Sequence, residues 1–341
     1  MVNVDVVIVT YNRLEKLKHT LDCYDKQTVP FRSIIVVDNH STDGTQEFLK
    51  EWAEETAPYA KYVRALPENC GGSGGFYEGQ KFALTLNPDW IYVADDDAYA
   101  EPDVMERFYD FQKMHSDEKI AAICGAVHCM DRTLNVNHRS RYSISASGQY
   151  HRSSVDESEY EKDYFQFDML SYVCAFLNAE ALRQVGLVNK DYFIYYDDTE
   201  HSLRLKKWGA LYCVPAIRIL HDELLRKSQD VSELSWRDYY ADRNEMRMLK
   251  AHHVESYYVL REYILRLVYA SSRERGLTVK DKVSLEALKD AQHNRGGMHA
   301  IYRPGWNPLD EHGKMPFPWW WKLSYMRVRV RSAIKHRMQK R

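Results

Sequence analysis

The sequence predicts an α/β fold with a mostly parallel sheet, followed by a helical C-terminal region. Over the first hundred residues, short β-branched runs alternate with segments of helical period in the order strand, helix, strand, helix, strand, helix, strand. Polar, acidic or glycine-rich residues stand where the runs give out, and ligands of such sheets gather beyond the carboxyl ends of the strands. Beyond Trp236 the chain reads as predominantly helical.

Each element has its own signal. Val4-Asp-Val-Val-Ile-Val-Thr10 is a strand buried on both faces, and Leu14, Leu17, Leu21 and Tyr24 recur at helical spacing behind it. Ser33-Ile-Ile-Val-Val37 makes the second strand, ending at Asp38-Asn39. Ser41-Thr-Asp-Gly44 supplies turn and cap chemistry for a helix from Thr45 to Trp52. Lys61 to Leu66 predicts a third strand. Asn69-Cys-Gly-Gly-Ser-Gly-Gly75 predicts a glycine loop opening into a helix through Leu86, and Trp90-Ile-Tyr-Val-Ala94 a buried strand running into Asp95, Asp96 and Asp97. From about Ala121 the pattern loosens, and the polar stretch from Ser143 to Lys162 predicts a mobile loop over the site. Order returns at Phe167 to Asn178, with a helix from Ala179 to Val185 ending at Gly186. A second helix follows from the acidic Tyr195–Glu200 stretch to Trp208, then strands at Ala210–Val214 and Ile217–His221.

A length of 341 residues with 45% hydrophobic content is ample for a real core. A net charge of −2 argues against nucleic acid as a general partner, yet the basic charge is unevenly placed. No acidic residue follows Glu311, while Lys322, Arg327, Arg329, Arg331, Lys335, Arg337, Lys340 and Arg341 crowd the end. With Trp319-Trp-Trp321 beside them, this composition suits an anionic membrane surface; a basic tail touching nucleic acid or nothing is the alternative. No run approaches the roughly 18 apolar residues of a bilayer span, so any membrane association is expected to be peripheral. The six cysteines form no C-x-x-C pair, and the chain enters a strand pattern with no signal peptide, which fits free thiols in a reducing cytoplasm.

Three carboxylates in a row repel one another, and chains keep them chiefly where a cation or reacting group offsets the repulsion. Asp95 and Asp97 at a strand end would hold Mg²⁺ or Mn²⁺ facing a nucleotide's phosphates; the alternative is a solvated acidic turn. Thr10, Arg13, Asp38, Asn69, Gly71 and Gly72 fall at the same edge. Asp38 suits a base or ribose hydroxyl and Arg13 a base carbonyl or phosphate, unless they are capping or surface residues. The glycines let backbone amides approach a phosphate, although they match neither the G-x-G-x-x-G nor the P-loop pattern. Asp197, Asp198 and Glu200 form a second acidic cluster at a helix start, where the helix dipole alone favours carboxylates; one of them would serve as general base. His221 could add an imidazole to the same metal, although a lone histidine is more often structural. Trp236, Tyr240 and Arg243 suit a sugar face beside a phosphate, though core packing explains the aromatics about as well.

Taken in order, Val7-Ile-Val-Thr-Tyr-Asn-Arg13, Ile35-Val-Val-Asp-Asn39, Ala94-Asp-Asp-Asp97 and Phe193-Ile-Tyr-Tyr-Asp-Asp-Thr-Glu200 resemble the blocks of family 2 glycosyltransferases of GT-A fold, over roughly residues 4 to 250. Asn69-Cys-Gly-Gly-Ser-Gly-Gly-Phe76 and Tyr239-Tyr-x-x-Arg-Asn244 look most like bacterial galactofuranosyltransferases. The resemblance implies a catalytic domain over about 1–235, with a nucleotide-sugar half to about 120 and an acceptor half beyond, then a helical region carrying the membrane-associating tail. It implies an inverting transferase using a UDP-sugar, with Mn²⁺ or Mg²⁺ on Asp95, Asp97 and His221. Asp198 falls at the family's catalytic base, although Asp197 or Glu200 could fill that role. Asp38 and Arg13 would hold the uridine, and Asp96 would contact the sugar or its own loop. Trp208, Trp236, Tyr240 and Arg243 would line the side of a glycan or polyprenyl-diphosphate-linked acceptor. The implied activity is galactofuranose transfer from UDP-galactofuranose in cell-surface polysaccharide assembly, peripheral on the inner face of the cell membrane. Rivals are a dTDP-rhamnose transferase of the same fold and an inactive nucleotide-sugar-binding protein.

Overall fold

The computed structural model describes residues 2–223 and 234–308, together with positions 323, 326 and 330. The chain forms two compact units, one of Met1–Tyr142 with Arg152–Lys227 and one of Ser143–His151 with Ser228–Arg341. Both acidic clusters singled out in the sequence, Asp95–Asp97 and Asp197–Glu200, lie in the first.

In that unit β1 (Val4–Thr10), α1 (Leu14–Asp25), β2 (Ser33–Asp38), α2 (Thr45–Glu54), β3 (Ala60–Ala65), α3 (Gly71–Thr85) and β4 (Trp90–Asp95) follow the predicted alternation. After them come β5 (Ala98–Ala100), α4 (Val104–Met114), β6 (Ile120–Cys129), β7 (Arg139–Ile144), β8 (Tyr150–Ser154), β9 (Phe165–Gln166), β10 (Met169–Leu170), β11 (Ala175–Asn178), α5 (Ala179–Val185), α6 (Asp197–Trp208) and β12 (Ala210–His221). The main sheet has the order β3-β2-β1-β4-β11-β6-β12-β5. Its β3-β2-β1-β4 half is wholly parallel, and β11 enters antiparallel between β4 and β6. Along β1 the side chains alternate: Val4, Val6 and Ile8 pack with Leu17, Leu21 and Tyr24 of α1, while Val7 and Val9 turn to the other face. Burial on both faces explains why β1 reads as a continuous apolar run.

Two sequence expectations change. The stretch Ser143 to Lys162 is not a single loop, because β8 and a 3-10 helix at Glu157–Glu161 occupy half of it and β10-β7-β8 form a small separate sheet. Polar side chains on short, exposed strands hide their period. The two strands expected after Gly209 are one strand, β12, whose register against β6 breaks between Val214 and Arg218, around Pro215. Proline lacks the amide that a continuous ladder needs there.

The glycine segment also differs: its glycines are the first turns of α3, not a loop before it. A Cβ on Gly75 would lie 2.4 Å from Val9 Cγ1, and one on Gly79 2.3 Å from Val7 Cγ1, so these glycines seat the helix against β1. Overfilling such a contact costs about 1–3 kcal/mol. Gly79→Ala is therefore expected to lower the unfolding free energy by about 2 kcal/mol in a urea titration, whereas Gly72→Ala, with nothing within 4 Å of its added methyl, should leave it nearly unchanged.

The second unit contains α7 (Trp236–His252), α8 (Val254–Arg275) and α9 (Val279–Gln292). Capping boxes at Ser235 with Asp238 and Thr278 with Asp281 start α7 and α9. Among the described residues no helix is long and apolar enough to cross a membrane. The Trp319–Trp321 run lies outside the described residues.

Candidate active site

Strand register explains how a histidine so distant in sequence meets the aspartates. After β4 delivers Asp95, the chain turns through Asp96 and Asp97 into β5, which pairs antiparallel with the end of β12 and sets His221 opposite Ala98. The Asp222 amide donates to the Asp97 carbonyl at 3.0 Å, locking that register. His221 Nε2 then lies 3.2 Å from Asp97 Oδ1, and ligand atoms of Asp95, Asp97 and His221 lie within 4.8 Å of one another.

The three aspartates differ sharply in environment. Asp97 faces Arg13 Nη1 at 2.8 Å, Lys16 Nζ at 3.2 Å and His221; burial alone would raise its pKa, but these cations hold it below the usual carboxylate value. Burial pushes Asp95 up to about 7, with repulsion from Asp97 adding to it and His221 opposing. Asp96 turns inward, where its carboxylate accepts from Thr10 Oγ1 at 2.7 Å and Arg13 Nη1 at 3.1 Å; burial raises it to about 6 against Arg13. Asp96 thus ties its turn to the segment between β1 and α1. Burial lowers the His221 pKa, but Asp97, Glu223 and Asp95 outweigh it and bring it to about 10. Burial and the repulsion of Asp97 raise the cost of ionising Asp95, a cost that a bound divalent cation would relieve.

The second acidic cluster opens α6. Phe193, Tyr195 and Tyr196 all have φ near +65° (67°, 65° and 65°), and this tight approach aims Asp197 and Asp198 inward. The Phe193 carbonyl accepts from the Ser73 amide at 3.1 Å, and a Cβ on Gly71 would lie 2.1 Å from it, so Gly71 lets α3 and this segment meet. Burial, then repulsion from Asp198, drives Asp197 up to about 8, with Asp95 contributing across the site. Asp198 Oδ1 accepts from the Thr199 amide at 2.5 Å; burial raises its pKa, and Arg152 moderates the rise. Glu200 is buried and holds Arg204 through both oxygens at 2.8–3.1 Å, and Arg204 in turn donates to the carbonyls of Val185, Gly186 and Leu187. Of the three, Asp198 is the half-buried carboxylate.

The remaining candidates divide. Asp38 is fully buried and accepts from the Ser41 amide at 3.0 Å. Next to it, Asn39 Nδ2 donates to Asn69 Oδ1 at 3.1 Å and to the Gly71 carbonyl at 2.9 Å, clipping the end of β2 to the start of α3. Gly72 faces open space. Trp208 is not brought to the carboxylates: ten residues of helix, about 15 Å, separate it from Asp198, and its indole bonds Gln184 at 3.0 Å. Tyr240 and Arg243 are buried inside the second unit, where Tyr240 donates to the Tyr302 carbonyl at 2.9 Å and Arg243 to the Gly297 carbonyl at 2.8 Å. Trp236 starts the same helix and stacks edge-on to Tyr240.

Sequence reading missed Asn135, His138 and Glu223. Glu223 Oε1 lies 3.2 Å from His138 Nε2, 3.4 Å from His221 Nδ1 and 2.7 Å from Asn135 Nδ2. The only sequence signal was the spacing of Glu223 two residues after His221. Asp95, Asp97 and His221, two carboxylates and an imidazole, make an O/N donor set that suits Mn²⁺ or Mg²⁺.

Comparison with known proteins fits this geometry. The family model described as Glycosyl transferase family 2 matches residues 5–186. The galactofuranosyltransferase GlfT1 of Mycolicibacterium smegmatis is 26% identical over 210 residues, covering 60% of this chain and 65% of that relative's length. The dTDP-rhamnosyl transferase RfbF of Shigella flexneri is 24% identical over 277 residues, covering 79% of this chain and 87% of the relative. Among solved structures, GalNAc-T7 with UDP, GalNAc and Mn²⁺ aligns with a TM-score of 0.58 at 15% identity, over 86% of this chain and 56% of that one, a likeness of fold.

Proposed function

The chain belongs to glycosyl transferase family 2, is a glycosyltransferase of GT-A fold, and we propose that it moves galactofuranose from UDP-galactofuranose to a lipid-linked glycan with inversion. The observation that carries this reading is the convergence of Asp95, Asp97 and His221 within 4.8 Å, with the Asp197–Asp198 helix start close enough for Asp95 to perturb Asp197.

In the proposed step the acceptor hydroxyl oxygen forms a bond to the anomeric carbon as Asp198 takes its proton. The bond from that carbon to the diphosphate oxygen breaks on the opposite face, and UDP leaves with the electron pair. A divalent cation held by Asp95, Asp97 and His221 would offset the charge gathering on the departing diphosphate. Burial of Asp198 raises its proton affinity toward the range a base at neutral pH needs. The positions of Thr10 and Asp38 at the ends of adjacent strands, with Arg13 at the start of α1, support a nucleotide-binding edge there.

The similarity to GlfT1 supports the galactofuranose donor, and the longer alignment with RfbF supports dTDP-rhamnose as the second reading. Thermal shifts with UDP and with dTDP in Mn²⁺, followed by product analysis from both nucleotide sugars, separate them. We expect a UDP response and galactofuranose transfer; a response to dTDP alone would favour rhamnose. We further place the acceptor on a polyprenyl carrier at the inner face of the membrane, on the composition of the tail. In the same assay, a chain truncated after Glu311 should lose activity on an acceptor in anionic vesicles and keep it on a soluble one; equal activity on both would remove the membrane from the proposal.

A further inference from the structure

We infer that Glu223 is a positioning residue that orients the His221 imidazole toward the cation site, itself held in place by Asn135 and His138. This rests on the reading of Asp95, Asp97 and His221 as metal ligands.

A histidine that ligates a metal through one ring nitrogen commonly directs the other N–H to a carboxylate, which fixes its tautomer and orientation. His221 has this arrangement. Its Nε2 points at Asp97 Oδ1, 3.2 Å away, while its Nδ1 faces Glu223 Oε1 on the opposite side at 3.4 Å. Nδ1 is buried, and no partner among the described residues meets it with hydrogen-bond alignment; Glu223 is the carboxylate beside it. A small rotation of the ring would close that gap.

Glu223 is not a freely swinging surface carboxylate. Asn135 Nδ2 donates to its Oε1 at 2.7 Å, and His138 Nε2 lies 3.2 Å from the same oxygen. His138 is in turn fixed by Ser171 Oγ, 2.8 Å from its Nδ1, and packs edge-on to His221 with ring centroids 5.3 Å apart. Asn135 and His138 come from the segment between β6 and β7, so two parts of the chain converge on one oxygen beside His221. Such support shells typically tune metal affinity by about 10–100-fold.

The test measures Mn²⁺ affinity of the full chain by electron paramagnetic resonance of free Mn²⁺, for wild type, E223A, E223Q, H221A and the H221A/E223A double variant. E223Q keeps size and one acceptor oxygen, so it covers the case in which E223A fails to fold. We expect one Mn²⁺ per wild-type chain, affinity falling about 10–100-fold in E223A and less in E223Q. In the H221A background, removing Glu223 should cost nothing further, because it acts through His221. Wild-type affinity in both E223A and E223Q would overturn the inference, as would an equal additional loss in the double variant. A second Mn²⁺ per chain that vanishes with Glu223 would also overturn it, making Glu223 a ligand. If wild type binds no Mn²⁺, or H221A binds like wild type, the metal site itself falls.

Discussion

Replacing Asp198 with Asn is expected to lower the rate of transfer by about 10²–10⁴-fold, the range for removing a positioned general base, while UDP affinity stays within about twofold. Asparagine preserves the shape and can still accept from the Thr199 amide that now meets Asp198 Oδ1, so the start of α6 should survive. What disappears is the site that accepts the hydroxyl proton. The neighbouring carboxylates provide the comparison. Glu200→Gln breaks the two-oxygen grip on Arg204, which ties α6 to the carbonyls of residues 185–187, and should register mainly as lost thermal stability. Steady-state turnover and calorimetric UDP binding on the two variants check this. Undiminished turnover in the Asp198 variant would move the base to Asp197 or elsewhere.

Sequence made the donor-binding edge legible because its signal is local. A β-branched run ending in a polar or acidic residue marks a strand and its carboxyl end at once, so Thr10, Asp38 and Asp95 could be placed on one edge before any contact was known. The glycines were ambiguous for the opposite reason. Closely spaced glycines signal loop and close approach alike, and only packing reveals that they begin α3 and that Gly75 and Gly79 make room for Val9 and Val7, while Gly72 stays open. Asn135, His138 and Glu223 stayed hidden because nothing local distinguishes them; they meet only through the pairing of β5 with β12 and the path between β6 and β7. Glu200 was readable in part. Arg204 stands four residues on, the spacing of a helical ion pair, and that pairing holds both Glu200 oxygens against its guanidinium. The acceptor side was least legible, since Tyr240 and Arg243 carry aromatic and cationic chemistry yet serve as buried struts within the helical unit.

The two candidate metal carboxylates should respond in opposite directions to loss of charge when no metal is present. Asp95 has its pKa raised from 3.8 to about 7 by burial and by Asp97, so the folded chain retains a proton that the unfolded chain has already released within that window. Stability therefore falls as pH rises from about 4 to 7, and at pH 8 the ionised group carries its full penalty. Asp95→Asn removes the penalty and should raise the metal-free Tm at pH 8 by a few degrees, a gain that fades as pH approaches 4. Asp97 has its pKa lowered by His221, Arg13 and Lys16, so its contribution to stability is present above the ordinary carboxylate pKa and is lost only as pH falls through the lowered value. Asp97→Asn leaves those cations facing a neutral amide and should lower the Tm at pH 8. Function should not follow stability. Saturating Mn²⁺ at about a hundred times its dissociation constant stabilises a binding-competent fold by about 2.7 kcal/mol, on the order of 4 °C for a chain of this length, and neither variant should show that shift. Both should lose transfer by about a thousandfold or more. Melting curves at pH 4 and 8, with and without Mn²⁺, decide both points: metal-free shifts of the same sign at pH 8 would overturn the opposed charge environments, and a Mn²⁺ shift retained in either variant would show that the cation site is not built on this pair.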